Sequence, residues 1–316
     1  MPCVIATPTS GIAQLEEIAG ELDANPFDAR DEDAFAAFAP RLKELANNRH
    51  FLTDRIKNEL SQYCIGQQSL NRYGAQVIML HSGPSFAIRA NIWPDAAHPL
   101  VRSNGMASFF YGLPHDHNVS FLTVGYAGSG YWSDYYEYDY EGVGGLPGEH
   151  AALRLTERSR LERGKVQLYR AHRDVHCQIP PDDLSISLNI MESSPASVFL
   201  DQYVFDTAHD AVSSYANPLP HDPLFAVAAA MRDPETMSML TRVSATHSST
   251  RVRFSALRAL AAAAPTSDER VAVLERAMTD NDHVLRGLVQ SRISEIEAAR
   301  PWIDSGNINI PANSYH

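Results

Sequence analysis

The chain has little of what marks several large classes of protein. No apolar run approaches the ~20 residues that cross a bilayer. The first ten residues carry no basic stretch ahead of an apolar one, so no secretory signal is expected. The cysteines Cys3, Cys64 and Cys177 are widely spaced and form no CxxC pair. This usage argues against a cysteine zinc site, and the cytoplasm is the expected compartment.

Basic charge is also scarce. The 316 residues include 38 acidic and 26 basic ones, for a formal net charge of −12. Such a chain repels phosphate backbones unless it carries a dense basic patch. Residues 154–165 come nearest to one, but Glu157 and Glu162 dilute their positive charge. Nucleic acid is therefore not expected as a partner.

Several catalytic motifs are missing. There is no G-x-S-x-G elbow, no P-loop and no dinucleotide-binding glycine fingerprint. These absences argue against a serine hydrolase of the nucleophile-elbow type and against the common nucleotide-dependent enzymes. The hydrophobic fraction of 44% and the charged fraction of 20% are those of an ordinary globular protein.

Three regions differ in their hydrophobic periodicity. Residues 1–70 have apolar side chains at helical spacing, such as Ile18 and Leu22. Residues 71–215 carry short β-branched and aromatic runs between Gly, Pro, Asn and Asp turns, which indicates a β-barrel or sandwich. Residues 216–316 return to a helical pattern. The predicted fold class is therefore α+β, with a central β-barrel flanked by an N-terminal helical segment and a C-terminal helical region.

Within this frame the individual elements can be predicted. The strands are expected at residues 76–80, 85–93, 120–124, 165–169, 185–190 and 198–205. In the C-terminal region Ser249, Ser267 and Asp282 are expected to cap helices. The segments that begin at Thr250 and Asp282 are loosely similar to each other and resemble HEAT-type paired helices, which would cap the barrel or present a partner surface. A helical appendage without repeats is the alternative.

Two histidines, His115 and His117, form the strongest chemical signal. Residues two apart in a strand point to the same face, so both imidazoles can aim into one barrel interior. Imidazole is a good ligand for Fe, Zn, Cu and Ni, so the ligand type does not choose among these metals. Further along, His172 and His176 precede the strand expected at 185–190, and either could supply a third ligand.

The order of these features resembles a known superfamily. An apolar strand that ends at Trp93, then HxH, then a lone histidine before a Ser-x-Ser-Leu strand is similar to the cupins. Over about residues 71–205 the chain resembles in particular the cysteine-dioxygenase-like branch, the three-histidine thiol dioxygenases. This resemblance implies a cupin-type barrel in which His115, His117 and His176 bind one Fe(II) ion.

Two details refine the resemblance. No glutamate follows His117 at the position where a four-ligand cupin carries one, which agrees with a three-histidine site. The family also places Ser, His and Tyr at alternate positions of the strand after the third ligand, and here those positions hold Ser187, Asn189 and Met191. A thioether cannot replace the hydrogen bond or the proton of a phenol, which argues against thiol dioxygenation itself.

The resemblance also implies a role for an arginine, and the composition of one segment suggests roles for several tyrosines. In the family, an arginine on an early strand pairs with the substrate carboxylate, and both Arg72 and Arg89 are candidates for that role. A surface salt bridge is the alternative for each. The Tyr-rich stretch between two glycine-rich segments is expected to form a lid, in which Tyr135 shares a catalytic role with Arg72 while Tyr131 and Tyr136 bind substrate. A structural edge hairpin is the alternative for that stretch.

The predicted function is a mononuclear non-haem Fe(II) oxygenase that acts with O2 on a small amino acid or a related carboxylate. One alternative is a metal-binding cupin without O2 chemistry, such as a ligand-binding module, an isomerase or a lyase. Another is a 2-oxoglutarate-dependent oxygenase built on His172, Asp174, His221 and Arg232. The expected partners are a small-molecule substrate and O2, with no membrane contact, and a homodimer is left open.

Overall fold

The computed structural model describes residues 2–70, 74, 76–193, 197 and 199–305. The chain divides into two compact units, Met1–Val143 with Pro147–Ala216 and Gly144–Leu146 with Asn217–His316. The first unit combines antiparallel sheets with helices and the second is helical, which confirms the predicted α+β class. The three-part division into residues 1–70, 71–215 and 216–316 stays a prediction.

Most helices of the first unit come before most of its strands in the sequence. Its helices are Leu15–Ala24 (α1), Glu32–Ala37 (α2), Ala39–Asn47 (α3), Phe51–Ser61 (α4), Ile65–Leu70 (α5) and Pro99–Asn104 (α6). Its strands are Cys3–Ile5 (β1), Val77–Ser82 (β2), Phe86–Trp93 (β3), Phe121–Ala127 (β4), Trp132–Glu137 (β5), Arg154–Arg160 (β6), Val166–Tyr169 (β7), Asp174–Ile179 (β8), Ser185–Glu192 (β9), Tyr203–Asp206 (β10) and Ala211–Tyr215 (β11). Each predicted strand overlaps one of these, although the last strand begins only at Tyr203.

The strands form antiparallel sheets. The larger sheet has the order β1-β7-β4-β9-β3-β2, and a smaller one has the order β6-β5-β8. An isolated bridge joins His115 to His176 on β8, and a second joins His115 to Val204 on β10. The segment around His115 therefore links β8 to the β10-β11 hairpin. The cupin-type barrel that the resemblance implies stays a prediction.

The two faces of the larger sheet have different chemistry because side chains alternate along each strand. On β3, Ile88 and Ala90 are fully buried against the N-terminal helices, together with Leu122 of β4 and Ile190 of β9. The helices contribute apolar residues at helical spacing to the same core, and these include Ile18, Leu22, Phe35, Leu42 and Leu45. The opposite face of the sheet is left free to line a cavity.

The second unit is built from helices. They are His221–Met231 (α7), Pro234–Thr246 (α8), Thr250–Ala263 (α9), Ser267–Glu275 (α10) and His283–Ser305 (α11). Leu257, Leu274, Leu285, Val289 and Ile296 form most of an apolar core shared by α9, α10 and α11. The HEAT-like character of this region stays a prediction. In the part of the chain that the structure describes, no helix has both the length and the apolar composition needed to cross a bilayer.

Candidate metal centre

Three histidines converge in the first unit, and backbone pairing brings them together. The His115 N–H donates to the carbonyl of His176 at 3.0 Å, and the His176 N–H donates to the carbonyl of His115 at the same distance. Residues that are directly opposite in an antiparallel pair point to the same face. His117 is held in turn because its carbonyl accepts from the His172 N–H at 2.8 Å.

The imidazole nitrogens lie within ligand distance of one another. The Nε2 atoms of His117 and His176 are 3.0 Å apart, and those of His176 and His115 are 3.2 Å apart. Ligand atoms of all three residues lie within 4.8 Å of one another. Two nitrogens that each bind one metal at about 2.1 Å can be no more than about 4.2 Å apart, and both measured pairs meet this limit.

The electrostatics of the group also suit a cation. His115 and His176 are buried and His117 is half-buried. Desolvation lowers the pKa of His115 to about 4 and lowers the pKa values of His117 and His176 well below the ordinary histidine value. All three rings are therefore neutral near pH 7 and have lone pairs to offer. Lone pairs directed at one point repel each other unless a proton or a metal ion lies between them, so the three residues could hold a metal ion.

Asp116 lies between the first two histidines but faces away from them, because alternate residues of an extended segment point in opposite directions. Its carboxylate accepts from the Tyr138 hydroxyl at 2.5 Å and from the Tyr203 N–H at 2.6 Å. Desolvation raises the pKa of Asp116 to about 7. Asp116 therefore ties the histidine segment to β10 rather than joining the ligand group.

The histidines open onto a cavity of about 450 Å³. Apolar side chains make up part of its wall, and these include Trp93, Phe110, Phe121 and Met191. Polar side chains make up the rest, and these include Gln76, Arg89, Asn91, Tyr131, Gln178 and Asn189. A volume of this size and a mixed lining are typical of small-molecule sites.

A chain of hydrogen bonds orients Asn189 in this wall. The Trp93 indole N–H donates to the Ser187 hydroxyl at 3.0 Å, and Ser187 in turn contacts Oδ1 of Asn189 at 3.2 Å. Because an indole can only donate, Ser187 accepts from Trp93 and its own hydrogen points to Asn189. The Thr123 hydroxyl also donates to that Oδ1, at 3.3 Å. The amide oxygen is thus engaged, and the NH2 group is the part of Asn189 that remains to serve a ligand.

Arg89 stands beside this amide. It is the register partner of Asn189 across β3 and β9, so the two side chains lie next to each other on the cavity face. Asn91, two residues further along β3, lines the same cavity, and its buried Oδ1 has no hydrogen-bond partner among the residues described. The wall thus offers donors at Arg89 and Asn189 and an acceptor at Asn91.

The predicted tyrosines occupy three different places. Tyr131 lines the cavity and packs against Trp93, with ring centroids 4.0 Å apart. Tyr135 is fully buried, and its hydroxyl donates to Gln167 at 3.3 Å and lies 2.9 Å from that of Tyr169. Tyr136 is half-buried, and its position next to Tyr135 in β5 gives it the opposite face of the strand.

The remaining candidates can be placed more briefly. Arg72 lies outside the described residues. His172 stacks on Tyr140 with ring centroids 3.9 Å apart, and its Nε2 lies 3.2 Å from the Asp201 carbonyl oxygen, so it is not part of the ligand group. His176, rather than His172, is the third histidine that the fold brings to the pair.

Some residues of the site were missed at the level of sequence. Gln178 follows His176 by two positions, and the same alternation that links His115 to His117 could have pointed to it. The same two-residue spacing, counted from Arg89, could have pointed to Asn91. The role of Asn189 depends on its hydrogen bonds with Ser187 and Thr123, and no local pattern reveals those.

Comparisons with known proteins identify no family. No family model matches the sequence, and no curated protein matches it either. Among solved structures, the chain is similar to a cupin domain from Bordetella pertussis Tohama I, with 13% identity and a TM-score of 0.23 over 40% of this chain and 99% of that one.

Two enzymes are among the other similar structures. One is the hydroquinone 1,2-dioxygenase PnpCD in complex with Cd²⁺ and 4-hydroxybenzonitrile, with 10% identity and a TM-score of 0.26 over 41% of this chain and 71% of that one. The other is the DMSP lyase DddQ from Ruegeria pomeroyi DSS-3, with 12% identity and a TM-score of 0.24 over 61% of this chain and 79% of that one. Likenesses at this level establish neither family nor activity.

Proposed function

We propose that the chain binds one divalent transition-metal ion through His115, His117 and His176. With Fe(II) bound, it would use O2 to oxidise a small amino acid or a related carboxylate. The observation that carries this proposal is the convergence of three neutral imidazoles at the wall of a cavity of about 450 Å³. No carboxylate or cysteine joins them in the described part of the chain.

The donor set favours open coordination positions. Three protein ligands leave room on a six-coordinate ion for other groups, whereas a closed structural zinc site uses four. When bound, Fe(II) would supply Lewis acidity and one-electron chemistry with O2. In this proposal O2 is the oxidant and the substrate supplies the electrons.

The chain's own residues would bind and orient the substrate. The Arg89 guanidinium and the Asn189 amide present N–H donors next to each other, which suits the two oxygens of a carboxylate. Asn91 Oδ1 is a buried acceptor that an ammonium or hydroxyl group would satisfy. Trp93, Phe121 and other apolar side chains would exclude water from the rest of the substrate. These features favour an amino acid or a hydroxy acid of small size.

A metal assay would test the first half of the proposal. Protein purified anaerobically with Fe(II) should hold about one metal ion per chain, and His176→Ala should lose it because two imidazoles remain. His172→Ala is the matched control, since its ring lies outside the group, and it should keep the metal. Full metal content in a folded His176→Ala variant would contradict the proposed metal site.

An oxygen-electrode screen would test the second half. The Fe(II)-loaded protein should consume O2 with at least one member of a set of small amino, hydroxy and thiol acids, and an Arg89→Ala variant should show a raised KM for that acid. Because the positions of the expected family relay hold Asn189 and Met191, thiol acids are not favoured over the others. Metal binding without O2 uptake would leave the metal site standing and reject the oxygenase.

A second function on the same site is a metal-dependent lyase or isomerase that does not use O2. The specific observation in its favour is Tyr131, whose phenol lines the cavity together with the histidines. Burial raises the pKa of Tyr131 well above its ordinary value, so its phenol stays protonated and would donate a hydrogen bond to a substrate oxygen. Turnover of a carboxylate under strictly anaerobic conditions, abolished in Tyr131→Phe, would favour this function over the oxygenase.

A further inference from the structure

The ring of Phe110 packs against His115 and lines the cavity, with the two ring centroids 5.2 Å apart. It nevertheless remains 41% exposed. The aromatic rings beside the other two histidines belong to Phe121 and Tyr169, which are both buried and stack on each other with centroids 4.4 Å apart. Free energy is gained when a ligand covers exposed apolar surface. Phe110 therefore has ring surface beside the histidines that a ligand could cover.

The backbone of Phe110 lies in the left-handed region, with a φ of 58° and a ψ of 19°. Residues other than glycine, asparagine and aspartate rarely adopt this conformation, because Cβ comes too close to the following carbonyl oxygen. Among the non-glycine residues with such a backbone in the described part of the chain, Phe110 is the one that lines the cavity. Strain of this kind persists only where the surrounding structure imposes it, and it is concentrated at functional sites.

The residues on both sides of Phe110 hold this conformation in place. Phe109 and Tyr111 are buried in one apolar cluster, and the Tyr111 hydroxyl donates to the Pro94 carbonyl at 2.8 Å. The Phe110 N–H donates to the Ala107 carbonyl at 3.1 Å. Because both neighbours pack into the cluster, the ring between them is turned toward the cavity.

The cavity has apolar surface for a side chain beside this ring. Val77, Val119 and Met191 line it together with the aromatic residues. Arg89 and Asn189 lie next to each other on the same wall and supply polar donors. A ligand with a carboxylate at one end and an apolar side chain at the other would use both kinds of surface, and a volume of about 450 Å³ has room for both.

We propose that Phe110 is a specificity-determining residue whose ring binds the apolar side chain of an amino acid in the cavity. This inference rests on the proposed function and narrows its substrate to acids with an apolar side chain, aromatic ones included. An aromatic side chain would pack on Phe110 in an offset or edge-on arrangement, which adds to the gain from burial alone. Phe110 takes no part in metal binding or proton transfer, since a phenyl ring has neither a lone pair nor an acidic hydrogen.

Calorimetric titration of the full chain with L-phenylalanine and L-alanine would test the contact. Anaerobic conditions prevent oxidation of either amino acid by O2. The parent should bind L-phenylalanine at least about tenfold more tightly than L-alanine, because the larger side chain buries more apolar area. Phe110→Ala should lower this ratio by about 3- to 10-fold through loss of the ring contact. Phe110→Tyr keeps the ring and should keep the ratio of the parent.

Two further variants complete the test. Met106→Ala is the matched control, because Met106 begins the short helix that precedes Phe110, is 40% exposed and does not line the cavity. It should leave the ratio unchanged. Phe110→Gly is a second variant without the ring, and it should lower the ratio as Phe110→Ala does. Since glycine adopts the left-handed backbone without strain, Phe110→Gly should also melt about 2–4 °C above Phe110→Ala.

Two results would overturn the inference. One is a parent protein that binds both amino acids equally well or binds neither. The other is a folded Phe110→Ala or Phe110→Gly variant with the parent's ratio. Uptake of O2 with an acid that binds without any dependence on Phe110 would reject the inference and keep the proposed function. A Phe110-dependent preference in a protein that takes up no O2 would support the contact and reject the oxygenase, so the two failures are distinguishable.

Discussion

At the scale of single residues, buried polar groups that point away from the three histidines also hold the site together. Asp116 is the clearest case, because it lies between two of them with an exposed fraction of 0%. A buried carboxylate is costly unless its oxygens accept hydrogen bonds. Tyr138 and Tyr203 supply those bonds, and through them the histidine segment is held against β10.

Removal of the Tyr138 hydroxyl should therefore weaken the first unit. Tyr138→Phe deletes the bond to Asp116 and leaves a buried oxygen with one partner fewer, so the free energy of unfolding should fall by about 1–3 kcal/mol. Urea denaturation followed by circular dichroism would measure this change. Tyr63→Phe, at an exposed tyrosine, is the control and should change stability by less than about 0.5 kcal/mol. Equal stabilities of the two variants would contradict the role given to Tyr138.

At the scale of elements, helix ends follow the capping chemistry that the sequence displays. The Ser249 hydroxyl accepts from the Val252 N–H at the start of α9, and the Asp282 carboxylate accepts from the Val284 and Leu285 N–H groups in the first turn of α11, both as predicted. The prediction for Ser267 is wrong by one residue. Ser267 is the first residue of α10, and the Thr266 hydroxyl accepts from the Glu269 N–H instead. Neighbouring Ser and Thr compete for the same role, and only the backbone path decides between them.

The cap of α8 leads to a prediction about pH. The Asp233 carboxylate accepts from the Thr236 backbone N–H at 2.9 Å, and this bond lowers the pKa of Asp233 in the folded state. A depressed folded pKa means that the stabilisation is present above the unfolded value of about 3.9 and is lost as the pH falls through the folded pKa. Asp233→Asn keeps an acceptor but cannot titrate. The wild type should be the more stable protein near neutral pH, because a negative charge favours a helix N-terminus.

Denaturant unfolding of both proteins at a series of pH values would check this sign. The advantage of the wild type should stay constant above about pH 5 and shrink below about pH 4, where Asp233 of the unfolded state takes up a proton while the folded state still holds the carboxylate ionised. An advantage that does not change across that interval would show that the charge of Asp233 contributes nothing to α8.

At the scale of the whole molecule, each unit has its own apolar core. The core of the helical unit depends on residues such as Leu285, which is fully buried among Leu257, Leu274 and Val289. The candidate metal ligands all belong to the other unit. The expected cytoplasmic location, the homodimer and the HEAT-like repeats stay predictions.

Leu285→Ala should lower the stability of the helical unit without changing the metal content of the protein. The loss of buried methyl groups and the resulting cavity should reduce the free energy of unfolding of the helical unit by about 2–5 kcal/mol. The metal content of the folded protein should remain that of the parent, because no ligand is changed. Leu224→Ala, at a leucine that is 68% exposed, is the control. Guanidinium unfolding and metal analysis on the same samples would measure both effects, and a metal-free Leu285→Ala protein that is otherwise folded would contradict the prediction.

The sequence by itself determined the class of the fold and the nature of the candidate site. Hydrophobic period is a local property, so helices and strands could be assigned from it. The HxH spacing is also local, and alternation in an extended chain is enough to direct His115 and His117 to one side. The three-histidine set without a carboxylate was implied by the resemblance to the cupins, and the absence of a glutamate after His117 agreed with it.

Only the tertiary structure decided which distant residues meet. The choice of His176 over His172 depends on the β-bridge between residues 115 and 176, and the orientation of Asn189 depends on the register of β3 against β9. Register is set by the packing of whole faces, and a shift of one residue would turn every side chain of a strand to the other side. For that reason the wall opposite the histidines could be found only after the strands were paired.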